Sequence, residues 1–134
     1  MLLYATLGTN DIDRAIRFYD AVFATLGGTR LEAADGWAGW GKGYDDGFSL
    51  WLCPPFDGQP ASAGNGTMLT FAARSGAQVR AFHQAALAHG GSDEGAPGTR
   101  DSYGPDFYVA YVRDPDGNKL ACVFHHYDPA GDTE

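Results

Sequence analysis

A chain of 134 residues is long enough for one domain with a real core and too short for two. Nine basic residues stand against seventeen acidic ones, and the formal charge of −8 repels nucleic acid and anionic membranes, which sets both aside as partners. Two cysteines, Cys53 and Cys122, are too few and too far apart for a disulfide framework or a Cys-based zinc site, so buried free thiols in a reducing cytoplasm are expected.

Met1-Leu2-Leu3-Tyr4 moves directly into a strand pattern, Leu2 to Leu7, without the charged start and apolar core of a signal peptide. No apolar run approaches the roughly 20 residues that cross a bilayer. Asn10-Asp11 can cap a helix, after which Ile12, Ala15, Ile16, Tyr19, Val22, Phe23 and Leu26 recur at helical spacing. Gly27-Gly28 ends that helix, because glycine tolerates the left-handed conformation of a C-terminal cap. Strand signals follow at Arg30–Ala34, Trp37–Gly41 and Phe48–Cys53, with Gly43-Tyr44-Asp45-Asp46-Gly47 as a hairpin turn between the last two. Pro54-Pro55 stops the sheet, and a Gly-, Pro- and Ser-rich stretch leads on to Gly66.

The plan then repeats. A strand at Thr67–Ala72, a cap at Ser75, a helix to about His89 and a break at Gly90-Gly91 restate the first half 64 positions later: Thr6 matches Thr70, Phe18 matches Phe82, and Ala21 and Ala24 match Ala85 and Ala88. Phe107–Arg113 and Lys119–His125 read as alternating strands joined by Asp114-Pro115-Asp116-Gly117-Asn118, where proline sets the turn and Gly117 supplies the positive φ. The expected organisation is a single domain, 1–134, with a first βαβββ module at 1–56, a linker at 57–66, a second module at 67–126 and a tail at 127–134. The fold class is α+β, two tandem modules forming a cupped mixed sheet with the helices outside.

Alternation assigns the faces. Leu3, Ala5 and Leu7 suit the helix side and leave Tyr4 and Thr6 opposite; Leu69 and Phe71 do the same and leave Met68 and Thr70. In the last strand Ala121, Val123 and His125 share a face. Tyr4, Trp51 and one of Tyr108 or Tyr111 should line the concave face, where rings with a polar tip hold a flat or amphipathic small molecule. Arg100 and Tyr103 fall in a glycine-flanked stretch, Gly98–Gly104, read as a loop that could hang over the cleft, with Arg100 able to clamp a carboxylate or phosphate. His125, followed by His126, is placed to bind a ligand or to end a strand at the cleft mouth. No Gly-x-x-x-x-Gly-Lys phosphate cradle and no Gly-x-Ser-x-Gly elbow is present.

The paired βαβββ plan, with Phe18-Tyr19 near a helix centre and the Asp114-Pro115-Asp116-Gly117-Asn118 turn closing the second half, resembles the vicinal oxygen chelate superfamily of glyoxalase I, extradiol dioxygenases and bleomycin-resistance proteins. The resemblance implies a metal held by the first and last strand of each module, usually two histidines and a glutamate. Carried over by position, those places fall on Tyr4, Met68, Ala121 and, in a less certain register, Trp51. None is a usual ligand of a divalent metal. The expectation is therefore a cytoplasmic, homodimeric relative that binds a small, aromatic or amphipathic molecule between its modules with no cofactor. The alternative is a lyase-, isomerase- or dioxygenase-type enzyme, metal-free or with a divalent metal held by residues such as His125, His126 and His83.

Overall fold

The structure is a computed structural model that describes residues 1–45 and 47–132. Asp46, counted in the expected turn at 43–47, and Thr133 and Glu134 of the expected tail lie outside the described residues. In the first module β1 (Tyr4–Gly8) leads into α1 (Ile12–Ala24), β2 (Arg30–Ala34), β3 (Trp37–Gly41) and β4 (Ser49–Cys53). In the second, β5 (Met68–Ala72) leads into α2 (Gly76–Ala88), β6 (Ser92–Arg100), β7 (Gly104–Arg113) and β8 (Lys119–Phe124). Each module closes a four-stranded mixed sheet in the order β1-β4-β3-β2 and β5-β8-β7-β6, with the first and last strands parallel and the rest antiparallel.

The helices begin and end as their sequences dictate. Asp11 accepts from the Arg14 N–H at 3.1 Å and Ser75 from the Gln78 N–H at 3.1 Å, each occupying a donor with no partner inside its helix. Both helices close the same way: Gly28 N–H donates to Phe23 O and Gly91 N–H to Ala86 O, with Gly27 and Gly90 at positive φ. Ala15, Phe18, Tyr19, Val22 and Phe23 form the buried stripe of α1, and Val79, Phe82 and Ala86 that of α2. Each large side chain so buried stabilises the fold by about 1.5–3 kcal/mol. The two stripes and the outer faces of both sheets share one core, joined by the Phe23–Phe71 and Phe71–Phe82 ring contacts.

The turn at 114–118 locks the second module onto the first. Asp114 is 3% exposed and accepts from the Tyr19 hydroxyl at 2.6 Å, from the Asn118 side chain at 2.9 Å, and from the backbone N–H groups of Asp116 and Asn118 at 2.9 Å each. Asn118 in turn donates to the Gly8 carbonyl at 3.1 Å, and Asp116 accepts from Arg14 and from the Asn10 N–H. Burial pushes the Asp114 carboxyl above its ordinary range even though all its hydrogen bonds favour the ionised form.

Two expectations need correcting. The stretch ending at Arg100 is a strand, not a loop over a cleft: β6 pairs along β7, with the register shifting at Asp93/Gly95, Gly95/Gly98 and Thr99/Arg100. Pro97 and two glycines hid it, and they are tolerable because β6 is an edge strand. The last strand stops at Phe124, so His125 belongs to the following turn.

Candidate functional site

Each sheet turns one face to the helices and leaves the other open. Pairing registers fix which residues share the open face. Tyr4 pairs with Ser49 and Thr6 with Trp51; Met68 pairs with Lys119 and Thr70 with Ala121. Trp51 and Ala121 are therefore equivalent places in the two modules, which resolves the register that the sequence left uncertain.

The inner face of the first module carries a hollow of about 450 Å³ lined by Tyr4, Glu32, Ala34, Asp35, Trp37, Tyr44 and Trp51. Tyr4 and Tyr44 tilt against each other with ring centroids 6.0 Å apart, and Tyr4 and Trp37 are 48% and 44% exposed. The Trp51 indole lies flat on Gly39, where a Cβ would come within 2.5 Å of the ring, and donates from Nε1 to Ser49 Oγ at 3.1 Å. Asp35 and Gly36 both take positive φ, the two-residue turn that best matches strand twist, and this parity puts Glu32 and Ala34 on the same face as Trp37.

The inner face of the second module carries a separate hollow of about 380 Å³ lined by Met68, Glu94, Arg100, Ser102, Tyr103, Tyr111 and Lys119. Tyr111 is its platform: the Arg100 guanidinium carbon and the Lys119 ammonium stand 5.9 Å and 5.4 Å from its ring centroid. Arg100 also donates to the carbonyls of Ala96 and Thr99, which fixes its direction. Burial and the Tyr103 hydroxyl raise the Tyr111 phenol above its ordinary range. Ala121 is fully buried in the floor, packed with Val109, Val123, Phe107 and Tyr111.

The two faces are mirror solutions of one packing problem. β3 and β4 pair Gly39 with Trp51, and β7 and β8 pair Tyr111 with Ala121. In the first module the bulky ring is on the last strand and the small residue on its neighbour; in the second the order is reversed.

Not every expected residue is brought to these faces. Tyr4 and Trp51 meet in the first hollow, and Met68, Arg100, Tyr103 and Tyr111 in the second, with Ala121 beneath. Tyr108 points the other way, buried in the helix-side core, where it accepts a hydrogen bond from Arg80 at 3.0 Å and packs on Tyr127. His125 is exposed and its ring is tilted against that of His126, with centroids 4.1 Å apart. His83 is engaged by Asp93 at 2.9 Å, and that hydrogen bond holds the Asp93 carboxyl below its ordinary range. The sequence reading did not select Glu32, Asp35, Tyr44 or Lys119. The Asp35-Gly36 dipeptide carried the parity signal for the first two, and the pairing of Lys119 with Met68 would have supplied the last.

The places that the resemblance assigns to a metal offer a phenol, a thioether, a methyl group and an indole whose N–H is already donated. That donor set does not fit a divalent cation. Among the described residues no group of three or more His, Cys, Asp or Glu side chains is arranged to hold a metal ion. No helix among them is long and apolar enough to cross a membrane.

Comparison with known proteins agrees with this architecture. Residues 2–122 match the model of the Glyoxalase/Bleomycin resistance protein/Dioxygenase superfamily. A glyoxalase/bleomycin resistance protein from Albidiferax ferrireducens T118 is 38% identical, with a TM-score of 0.81 over 92% of this chain and 97% of that one. A glyoxalase-related enzyme from Fulvimarina pelagi shares 21% identity and a TM-score of 0.72 over 92% and 87% of the two chains. Glyoxalase I from Zea mays shares 21% identity and a TM-score of 0.69 over 96% of this chain but 46% of its own. No curated protein matches. The chain belongs to the Glyoxalase/Bleomycin resistance protein/Dioxygenase superfamily.

Proposed function

We propose that this superfamily member binds a small aromatic or amphipathic molecule against its inner sheet faces, without a metal at the family positions, in a site completed when two copies pair. The observation that carries the reading is the pair of open, unlike hollows: one module offers aromatic rings with two carboxylates, the other a tyrosine platform flanked by two cations. Inner-face rings left 40–50% open to water, such as Tyr4 and Trp37, lose that exposure when another surface covers them. A Trp51/Gly39 face placed opposite a Tyr111/Ala121 face sets each bulky ring against a small residue. That complementarity favours the first module of one copy meeting the second module of another.

A ligand seated there would stack its flat part on Tyr4, Trp37 and Trp51, and an acidic group would lie toward Arg100 and Lys119. Phenol, thioether, methyl and indole in the family's metal positions leave recognition, not Lewis-acid chemistry, as the work these residues can do. The free thiols of Cys53 and Cys122 suit a reducing compartment, and on that ground we place the protein in the cytoplasm.

The test combines three measurements on the untagged protein. Sedimentation should give a dimer. A thermal-shift screen of aryl carboxylates should raise Tm, with the gain reduced in Trp51→Ala and in Arg100→Ala. Elemental analysis should find no stoichiometric divalent metal. About one Zn, Ni, Mn or Fe per chain would overturn the metal-free reading and favour the enzymatic alternative. A monomer whose ligands shift neither hollow would overturn the binding reading.

A further inference from the structure

A further hollow is on neither inner face. About 630 Å³ in volume, it opens at the seam between the modules on the helix side, walled by Phe23, Leu26, Phe48 and Phe71, with Lys42 and Arg74 at its rim. The internal repeat explains why it exists. Pairing of Gly41 with Ser49 and of Arg113 with Lys119 makes the turn at 42–48 the counterpart of the turn at 114–118. Lys42 N–H donates to Phe48 O as Asp114 N–H donates to Asn118 O, at 3.5 and 2.9 Å. Lys42 therefore stands where the second turn has Asp114, and Phe48 where it has Asn118. On the helix side, the 64-residue offset puts His83 in the place of Tyr19 and Arg74 in that of Asn10.

At one seam those positions make the polar lock already described. At the other every partner has changed: Lys42 cannot accept a hydrogen bond, Phe48 has none to give, and His83 is turned away onto Asp93. The seam is left as an apolar hollow with a cationic rim.

The charge on that rim is selective. In a chain with seventeen acids and nine bases, unpaired carboxylates are unavoidable but unpaired cations are not. Four basic residues, Arg14, Arg30, Arg80 and Arg113, sit in ion pairs. Among the described residues that leaves five without one, and Lys42 and Arg74 are two of them, both at this hollow. We propose that the seam hollow is a second ligand site, distinct from the inner faces, that takes an amphipathic monoanion. A carboxylate or sulfonate lies at Lys42 and Arg74, and its apolar body lies against Phe23, Leu26 and Phe71. The volume is within the roughly 300–1,000 Å³ range of small-molecule sites.

Octanoate, octanol and octylammonium are the probes. Titration of the isotope-labelled full chain with octanoate should give saturable amide shifts at Leu26, Phe48, Phe71 and Arg74, while Thr70, Tyr111 and Ala121 stay still. Octanol and octylammonium should bind at least about tenfold more weakly, the worth of a charge-assisted contact. Lys42→Glu with Arg74→Glu should weaken octanoate by a similar factor. Lys42→Arg with Arg74→Lys should restore it to within about threefold, since both side chains are exposed and the core is untouched. Absence of saturable shifts, shifts confined to the inner faces, or equal affinity for octanol would overturn the proposal. So would seam amides that stay silent because a second copy covers them in the dimer.

Discussion

Tyr19→Phe isolates one of the bonds that couple the two modules. The phenyl ring keeps its contacts with Phe18, Phe23 and Trp40, so the change removes little besides the hydroxyl. That hydroxyl donates at 2.6 Å to Asp114, a carboxylate 3% exposed, and a hydrogen bond to a buried charged acceptor is worth about 1.5–3 kcal/mol. We expect a loss of about 2 kcal/mol at pH 7 by urea unfolding, a fall in Tm of roughly 6–8 °C for a domain of this size. The pH dependence has a definite sign. Burial raises the Asp114 carboxyl in the folded state, so the folded chain takes up its proton at a higher pH than the unfolded chain does. The cost of keeping Asp114 ionised is present above its folded titration and is relieved as pH falls through it. Tyr19 favours the ionised form, so the deficit of Tyr19→Phe is largest near neutrality and shrinks toward about 1 kcal/mol, the value of a neutral hydrogen bond, as Asp114 takes its proton. A deficit below about 0.5 kcal/mol at pH 7, or one that grows on acidification, would refute the assignment of this bond as part of the module lock.

Gly39→Ala should displace the Trp51 indole, because the new Cβ would come within 2.5 Å of it; a loss of about 1–3 kcal/mol with a shifted tryptophan emission is expected, and an unchanged spectrum would mean that the ring is not seated there. Burial raises the Cys53 thiol and pushes the Cys122 thiol up to about 12, so native protein at pH 8 should react slowly with a thiol reagent and denatured protein should release both thiols at once; fast native titration would contradict the burial. The triple variant Tyr4→His, Met68→His, Ala121→Glu places new ligands in two different hollows, so nickel affinity should appear only at concentrations where the chain is dimeric. Concentration-independent binding would mean that the positions converge within one chain.

The parts of the fold legible in the sequence are those where one physical signal stood alone. Helix caps at Asp11 and Ser75, paired glycines at both helix ends and the Asp114–Asn118 turn each have a single conformational solution, and the structure adopts it. β6 was hidden because Pro97, Gly95 and Gly98 weaken strand propensity, and only its edge position makes them tolerable. Tyr108 and Tyr111 could not be separated because Tyr108, Val109, Ala110 and Val112 are all buried, so the run 107–112 has no alternation of charged and apolar residues to mark the faces of β7. His125 was assigned to a strand face that ends one residue earlier. Tyr4, Trp51, Met68 and Ala121 were found on the inner faces, but alternation along a strand says nothing about whether two such faces meet within one chain or between two.

The internal repeat carries further than topology. Where the two modules agree, in the helix stripes and glycine closures, the residues serve packing that both halves need. They differ at the inner faces, where Gly39 and Trp51 answer Tyr111 and Ala121 in reversed order, and at the seams, where Lys42 and Phe48 answer Asp114 and Asn118. Two identical modules would give two identical seams, both locked or both open. One lock suffices to hold the modules together through the shared core, since a single network ties Gly8, Asn10, Arg14 and Tyr19 to the 114–118 turn. The second seam is thereby released from that structural duty. Its cations then face an apolar hollow with no carboxylate among its described lining residues, although acidic residues outnumber basic ones in the chain by nearly two to one. A solvated surface would leave such charges anywhere. Their concentration at this hollow and beside Tyr111 is what the proposed binding of acidic, partly apolar molecules calls for.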